Sequence, residues 1–359
     1  MKKIAKSVIV LPGLLTMMAA GNIYAQTSND ESMETVGQPP PEQDMQPQIQ
    51  AIPDIGGVLT PQGRLVLEPE FQYSHSSVNR LTFRGVEILS TLLVGALNAE
   101  DVDRDTWTTS LTGRLGVTNR LELELKLPYV YREDTVTNTI AEAQPASFNQ
   151  TNSRSGDGLG DIEVAAHYQL NRNLNGGPFY VGNLRYKSTT GKSPFEIDRT
   201  DDGVEQELAT GSGFHSIEPS LTILFPSDPA IYFANIGYLF NLKDDVNERI
   251  GDSVIGEVDP GDAVRVSFGM AYSINPKSSF TLGYKNDFIG QTETEFTNPD
   301  TGVKITRTGE SLNIGSMLLG WSYQLDPDVA INLNLEFGIT EDAPDTTLTL
   351  RTPIGFNIF

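Results

Sequence analysis

The run Arg120, Leu121, Glu122, Leu123, Glu124, Leu125, Lys126, Leu127 alternates leucine with charge over its whole length. Successive side chains of an extended chain point to opposite faces, so the run places its leucines on one side and its charges on the other, a sorting no helix would achieve. About a dozen segments with the same rhythm follow one another from near Arg64 to Phe359. On an exported chain such segments predict a closed sheet, apolar outside and polar inside, because hydrocarbon tolerates no unpaired sheet edge. The fold class expected is all-β, an up-and-down transmembrane β-barrel.

Export is read from the N-terminus. Met1, Lys2, Lys3 and Lys6 precede an apolar stretch from Val8 to Ala20, broken by Pro12 and Gly13, and the small residue Ala25 marks the expected cleavage point. Residues 1–25 are thus expected to be a signal peptide. Residues 26–59, rich in proline and glutamine and without lysine or arginine, are expected to form a disordered periplasmic arm. Its end, Ile52 to Leu59, reads either as a connector or as a short plug. The barrel is assigned to 60–359. The chain has no cysteine, which excludes disulfides, lipidation and thiolate metal sites. Its formal charge of −22 excludes a nucleic-acid partner, and no later stretch is long and apolar enough for a helical span.

Twelve strands are predicted, near 64–77, 106–118, 120–132, 159–170, 178–190, 213–225, 230–242, 263–274, 278–290, 310–325, 328–340 and 346–358. Tight links at Val117 to Arg120, Asn171 to Gly177, Pro226 to Pro229, Ile274 to Ser278 and Leu325 to Asp328 alternate with long ones. That is the pattern of periplasmic turns and external loops. The long links are acidic, which serves solubility or, alternatively, divalent cations bridging to lipopolysaccharide phosphates. Val86 to Leu97 is too apolar for an ordinary external loop. It is expected to fold into the lumen as a constriction, or to add a hairpin and make fourteen strands. Pro69 and Pro219 should mark bulges or kinks.

The polar face of the strands defines the candidate site, a lumen lined by Glu68, Glu70, Glu122, Glu124, Lys126, Asp161, Glu163, His167, Arg185, Lys187, Glu218, Arg265, Lys285, Asp287, Glu336 and Arg351. Both signs are present, so the side chains either pair across strands around a narrow polar channel or merely fill the barrel. His75, His167 and His215 are far apart and form no His-x-His or nucleophile motif. No enzyme, cofactor or metal centre is expected. Gly156, Gly158 and Gly160 precede a strand instead of a helix and so make no phosphate loop. Phe359 supplies the terminal aromatic expected of an assembly signal, but lies one residue out of phase with Leu348, Leu350, Ile354, Phe356 and Ile358, so a bulge near Pro353 and Gly355 is expected.

Several segments carry a resemblance: Leu81 to Gly85, Trp107 to Arg114, Leu127 to Arg132, Gly160 with Asp161, Thr190 to Phe195, Thr210 to Gly213, Asp228 with Pro229, and Glu341 to Asp345. They resemble, in order, the barrel of the Fap outer-membrane channels, and more broadly the outer-membrane transporter family labelled with phenol meta-pathway degradation. The narrower resemblance implies a trimeric twelve-stranded pore that exports functional-amyloid subunits. The arm, however, shows no heptads where that family has a periplasmic coiled coil. The function expected is therefore a channel or transporter, for export of such a polypeptide first, for uptake of small aromatic or hydrophobic molecules as the alternative, and for a non-transporting adhesive barrel as a third reading. Outer-membrane lipid, lipopolysaccharide and the barrel-assembly machinery are the expected partners.

Overall fold

The computed structural model describes residues 59–88, 92–140, 148–171, 177–199, 205–250 and 253–358. The predicted signal peptide, the arm up to residue 58 and the proposed assembly residue Phe359 lie outside the described residues. The strands are β1 Arg64–Ile88, β2 Leu92–Thr118, β3 Leu121–Ile140, β4 Phe148–Leu159, β5 Glu163–Gln169, β6 Phe179–Lys187, β7 Ser216–Ser227, β8 Ala230–Asn241, β9 Asp244–Ile250, β10 Ser253–Asp259, β11 Ala263–Asn275, β12 Ser278–Ile289, β13 Glu293–Thr297, β14 Lys304–Thr308, β15 Leu312–Asp326, β16 Val329–Gly338, β17 Thr346–Arg351 and β18 Ile354–Asn357.

Fourteen of these form one antiparallel sheet that closes where β1 meets β17 and β18. β4 and β5 pair in succession with β3, and β17 and β18 in succession with β1, so each couple is one interrupted wall strand. The wall therefore has twelve strands, and the fourteen-strand alternative is set aside. Closure satisfies every wall strand on both edges, the condition for crossing hydrocarbon.

The alternation of the sequence is the alternation of faces. Leu123, Leu125 and Leu127 are 40–45 % exposed, whereas Glu122, next to Leu123, is 6 % exposed. Across the strands Tyr73, Trp107 and Tyr131 stand in a row with ring centroids 5.4 and 5.3 Å apart, one strand end beyond the leucines. Tyr168, Tyr232, Tyr272 and Trp321 are exposed near the opposite, short-turn end. An apolar belt between two aromatic girdles, with charges inside, is the surface of a bacterial outer-membrane barrel.

Three expectations change. Val86 to Leu97 adds no wall strand, because Val86 pairs with Val94 and Phe83 with Leu97 as extensions of β1 and β2. The 25 residues of β1 span roughly 80 Å at about 3.3 Å each, well past a bilayer. Pro69 and Pro219 open gaps in the ladder without shifting it: Glu70 faces Arg351 and Leu67 faces Ile354 in one register, and Ile217 with Phe240 and Ser220 with Gly237 share another. A missing N–H costs a ladder bond but does not require an extra residue. For the same reason no bulge lies between Arg351 and Ile354, and Phe356 and Ile358 remain on the exposed face.

Two hairpins continue the wall on the long-loop side. β9 with β10, and β13 with β14, join through β10 and β13 into a four-stranded sheet above β8, β11, β12 and β15. The sequence analysis had treated these segments as loops. Gly261 lets the chain turn there, since a Cβ at that position would lie 2.0 Å from the Gly290 carbonyl oxygen.

Candidate functional site

Inside the wall the charged side chains form a belt. Arg351 and Lys126 converge on Glu70, the latter at 3.0 Å, and Ser110 Oγ donates to the same carboxylate at 3.0 Å. β1 and β3 are not neighbours, and the bridge spans β2 because Ser110 and Thr112 are short. The same device recurs. Glu218 on β7 bonds Arg185 on adjacent β6 and, across Gly237 of β8, Arg265 on β11 at 3.0 Å. Lys285 on β12 reaches Glu336 on β16 across β15. Arg185 also holds Glu163 at 2.9 Å, and Arg265 holds Asp287 at 3.2 Å. Arg114 meets Glu68 at 2.5 Å and Glu124 at 3.7 Å. His167 bonds Asn183 at 2.8 Å, and Glu122 accepts from the Thr60 amide at 2.7 Å. Every charged position expected on the inner face is thus joined to another inner group.

Asp161 and Lys187 hold a different element. Asp161 accepts from the Gly191 amide at 3.0 Å, the Ser212 amide at 2.8 Å and Ser212 Oγ at 2.6 Å. Lys187 donates to Ser212 Oγ at 2.8 Å. Arg132 donates to the Ala209 carbonyl at 3.2 Å, and Thr210 Oγ1 to that of Leu159 at 2.8 Å. Arg132 and Asp161 are both buried on the inner face, so the described parts of the β6–β7 connection, residues 188–199 and 205–215, turn into the mouth of the barrel. Its Phe195 and Phe214 pack edge to face at 5.9 Å, under Ile255, Val258 and Phe296 of the outer sheet. This inward packing falls in a segment that the sequence reads as an acidic external loop. In that segment burial pushes the Glu205 carboxyl up against the pull of Arg199, whereas the Lys192 ammonium holds the Glu207 carboxyl down.

Sequence reasoning missed Arg114, Arg132 and the pair Arg104 with Asp134, joined by two hydrogen bonds including one of 2.8 Å. Phase was the available signal: Arg114 continues the Ser110, Thr112 side of β2, opposite Leu111 and Leu115. The partners of Asp161 had no such signal, because they come from a loop.

Apolar clusters flank the belt. Leu239, Ala263, Ile289, Ile314 and Ala343 are buried toward the long-loop end, and Leu224, Ile231, Phe233 and Ala271 toward the short-turn end. Phe233 lies across Gly269 and Gly283, where a Cβ would come within 2.6 and 3.2 Å of its ring.

A twelve-stranded outer-membrane barrel with a charge-bridged interior is the class these features define. The family model described as "Putative MetA-pathway of phenol degradation" matches residues 95–352, and the chain belongs to that family. Among solved structures, the fold is similar to that of the COG4313 outer membrane channel from Pseudomonas putida F1, at 13 % identity and a TM-score of 0.56, covering 85 % of this chain and 99 % of that one. The toluene transporter TodX from Pseudomonas putida is more distant, at 8 % identity and a TM-score of 0.41, over 84 % of this chain and 90 % of that one.

Proposed function

We propose that the protein is an outer-membrane channel for uptake of small aromatic or hydrophobic solutes. The observation that carries this reading is the interior itself: apolar clusters toward each end with the ionic belt between them, and the inward residues 188–199 and 205–215 at the mouth. Charge bridges that span two strands, and a loop fixed by Asp161, leave a narrow and structured path. Such a path suits a ring-sized molecule with one polar substituent better than an extended polypeptide. The family's description and the channel-like fold support the same choice. Export of an amyloid-type polypeptide, the first expectation from the sequence, would require displacing the inward segment and breaking several buried ion pairs, each expensive to open.

Proteoliposome uptake tests the reading. Reconstituted barrel should admit simple aromatic solutes such as phenol or benzoate faster than empty liposomes, with saturation. Uptake no faster than the empty control for every ring-sized solute would overturn it. Loss of surface fibre deposition on gene deletion, with solute uptake unaffected, would favour export.

A further inference from the structure

Glu122 and Glu124 sit two residues apart on β3, on the same inner face, and His167 of β5 stands directly opposite Glu122. One ligand atom from each of the three can be chosen so that all lie within 4.8 Å of one another. The histidine is held in a particular tautomer. Asn183 donates its amide nitrogen to Thr222 Oγ1 at 3.0 Å and Ser220 Oγ at 3.1 Å, which turns its oxygen toward the ring, 2.8 Å from His167 Nδ1. That oxygen can only accept, so Nδ1 carries a proton, and the ring in its neutral form presents Nε2 as a bare lone pair.

Nε2 is fully enclosed, has no hydrogen-bond partner, and stands 3.7 Å from Glu124 Oε2. An imidazole oriented through its other nitrogen by a fixed acceptor, with its lone pair facing carboxylates, is the arrangement seen around metal-bound histidines. Glu122 is oriented as well, by the Thr60 amide at 2.7 Å. Arg114 makes its short contact with Glu68 at 2.5 Å and a longer ion pair with Glu124 at 3.7 Å, which a bound cation would have to displace.

We propose that Glu122, Glu124 and His167 form a binding site for a divalent transition cation, of which zinc is the representative, on the inner wall of the barrel. One imidazole and two carboxylates suit such an ion, with bonds of about 2.0–2.2 Å. Reaching these lengths draws the three atoms together by roughly 1 Å, within the swing of two glutamate side chains. Three protein ligands leave a further position for water or a solute ligand. The site is independent of whether the barrel conducts.

The test is zinc titration of the full-length, detergent-folded protein after chelator treatment, by calorimetry and by metal content after gel filtration. One zinc per barrel is expected. His167→Ala and Glu122→Gln should each weaken binding at least tenfold, Asn183→Ala by about tenfold through loss of the orienting acceptor, while His75→Ala and His215→Ala should bind as the unaltered protein does. Heat-modifiable migration on gels confirms that each variant is folded. X-ray absorption of the zinc-loaded unaltered protein needs no variant, and should show a shell with a single imidazole. Folded protein that takes up no zinc near neutral pH would mean that His167 serves as a protonated partner of Glu124, and overturns the proposal. Binding that survives His167→Ala, or a shell with no imidazole or several, overturns it too.

Discussion

The two arcs of the barrel wall solve the same problem with different residues. On the arc running from β17 through β1, β2, β3 and β5 to β7, inner positions hold Arg351, Glu70, Arg114, Glu124, Lys126, Glu163 and Glu218, paired between adjacent strands and, from Glu70 to Lys126, over the short Ser110 and Thr112. On the arc from β8 to β15 the glycines Gly237, Gly269, Gly283 and Gly320 alternate with the charged Arg265, Lys285 and Asp287, and Phe233 is laid across two of the glycines. Outside, both arcs present the same apolar surface. The first arc is therefore specified by electrostatics, where losing one member strands others in a low-dielectric interior, and the second adds to its fewer ion pairs a steric fit at glycines, where the penalty is for adding atoms.

The comparison is broken or sharpened by substitutions in each arc. The largest effect is expected for Glu70→Leu, which removes the carboxylate shared by Lys126 and Arg351 and should cost about 3–5 kcal/mol, read as a lower urea midpoint in detergent or bilayer. Gly269→Val should cost about 1–3 kcal/mol by overpacking, because its Cβ would meet the Phe233 ring at 2.6 Å and the Leu282 carbonyl oxygen at 2.4 Å. Adding Phe233→Ala should recover only part of that loss, since the backbone contact remains. Full recovery would assign the second arc's constraint to the ring alone.

The sequence made one arc far more legible than the other. Charge alternation in Arg120 to Leu127 announces both the strand and the partners its inner side must find, so the wall strands and the belt could be read directly from residues such as Glu70, Lys126 and Glu218. Boundaries past the membrane could not. The hairpin segment around Val86 and Val94 is as apolar as a strand in lipid, and β9 and β14 carry charges on both faces, so periodicity carries no depth information there. Nor could the inward turn of residues 188–199 and 205–215 be foreseen. It depends on Asp161 accepting from Gly191 and Ser212, contacts between a strand and a distant loop that leave no local pattern.

That loop supplies an intermediate case, charged but not part of the strand-spanning bridges. Asp161→Ala removes three accepted hydrogen bonds and should loosen the mouth by about 2 kcal/mol while leaving the wall intact. The expected signature is faster trypsin cleavage after Lys192 or Arg199 and a larger single-channel conductance, with the global urea midpoint changed much less than by Glu70→Leu. An equal fall in the global midpoint would show that the segment is part of the cooperative unit and not a separable constriction.

The smallest effect is expected at Lys285 and Glu336, which tests whether charge or burial decides the cost. The pair uses the same strand-spanning geometry as Glu70 and Lys126, but the Lys285 side chain is 40 % exposed, against 28 % for Lys126 and 3 % for Glu70. Water that reaches the ammonium screens the pair and solvates the survivor when one partner is removed. Lys285→Met should therefore cost no more than about 1 kcal/mol, and a double-mutant cycle with Glu336→Gln should give a coupling within that limit that shrinks as salt is raised. A coupling near that of Glu70 with Lys126 would mean that the belt is uniformly desolvated around the barrel. The contrast between the arcs would then lie in residue size alone.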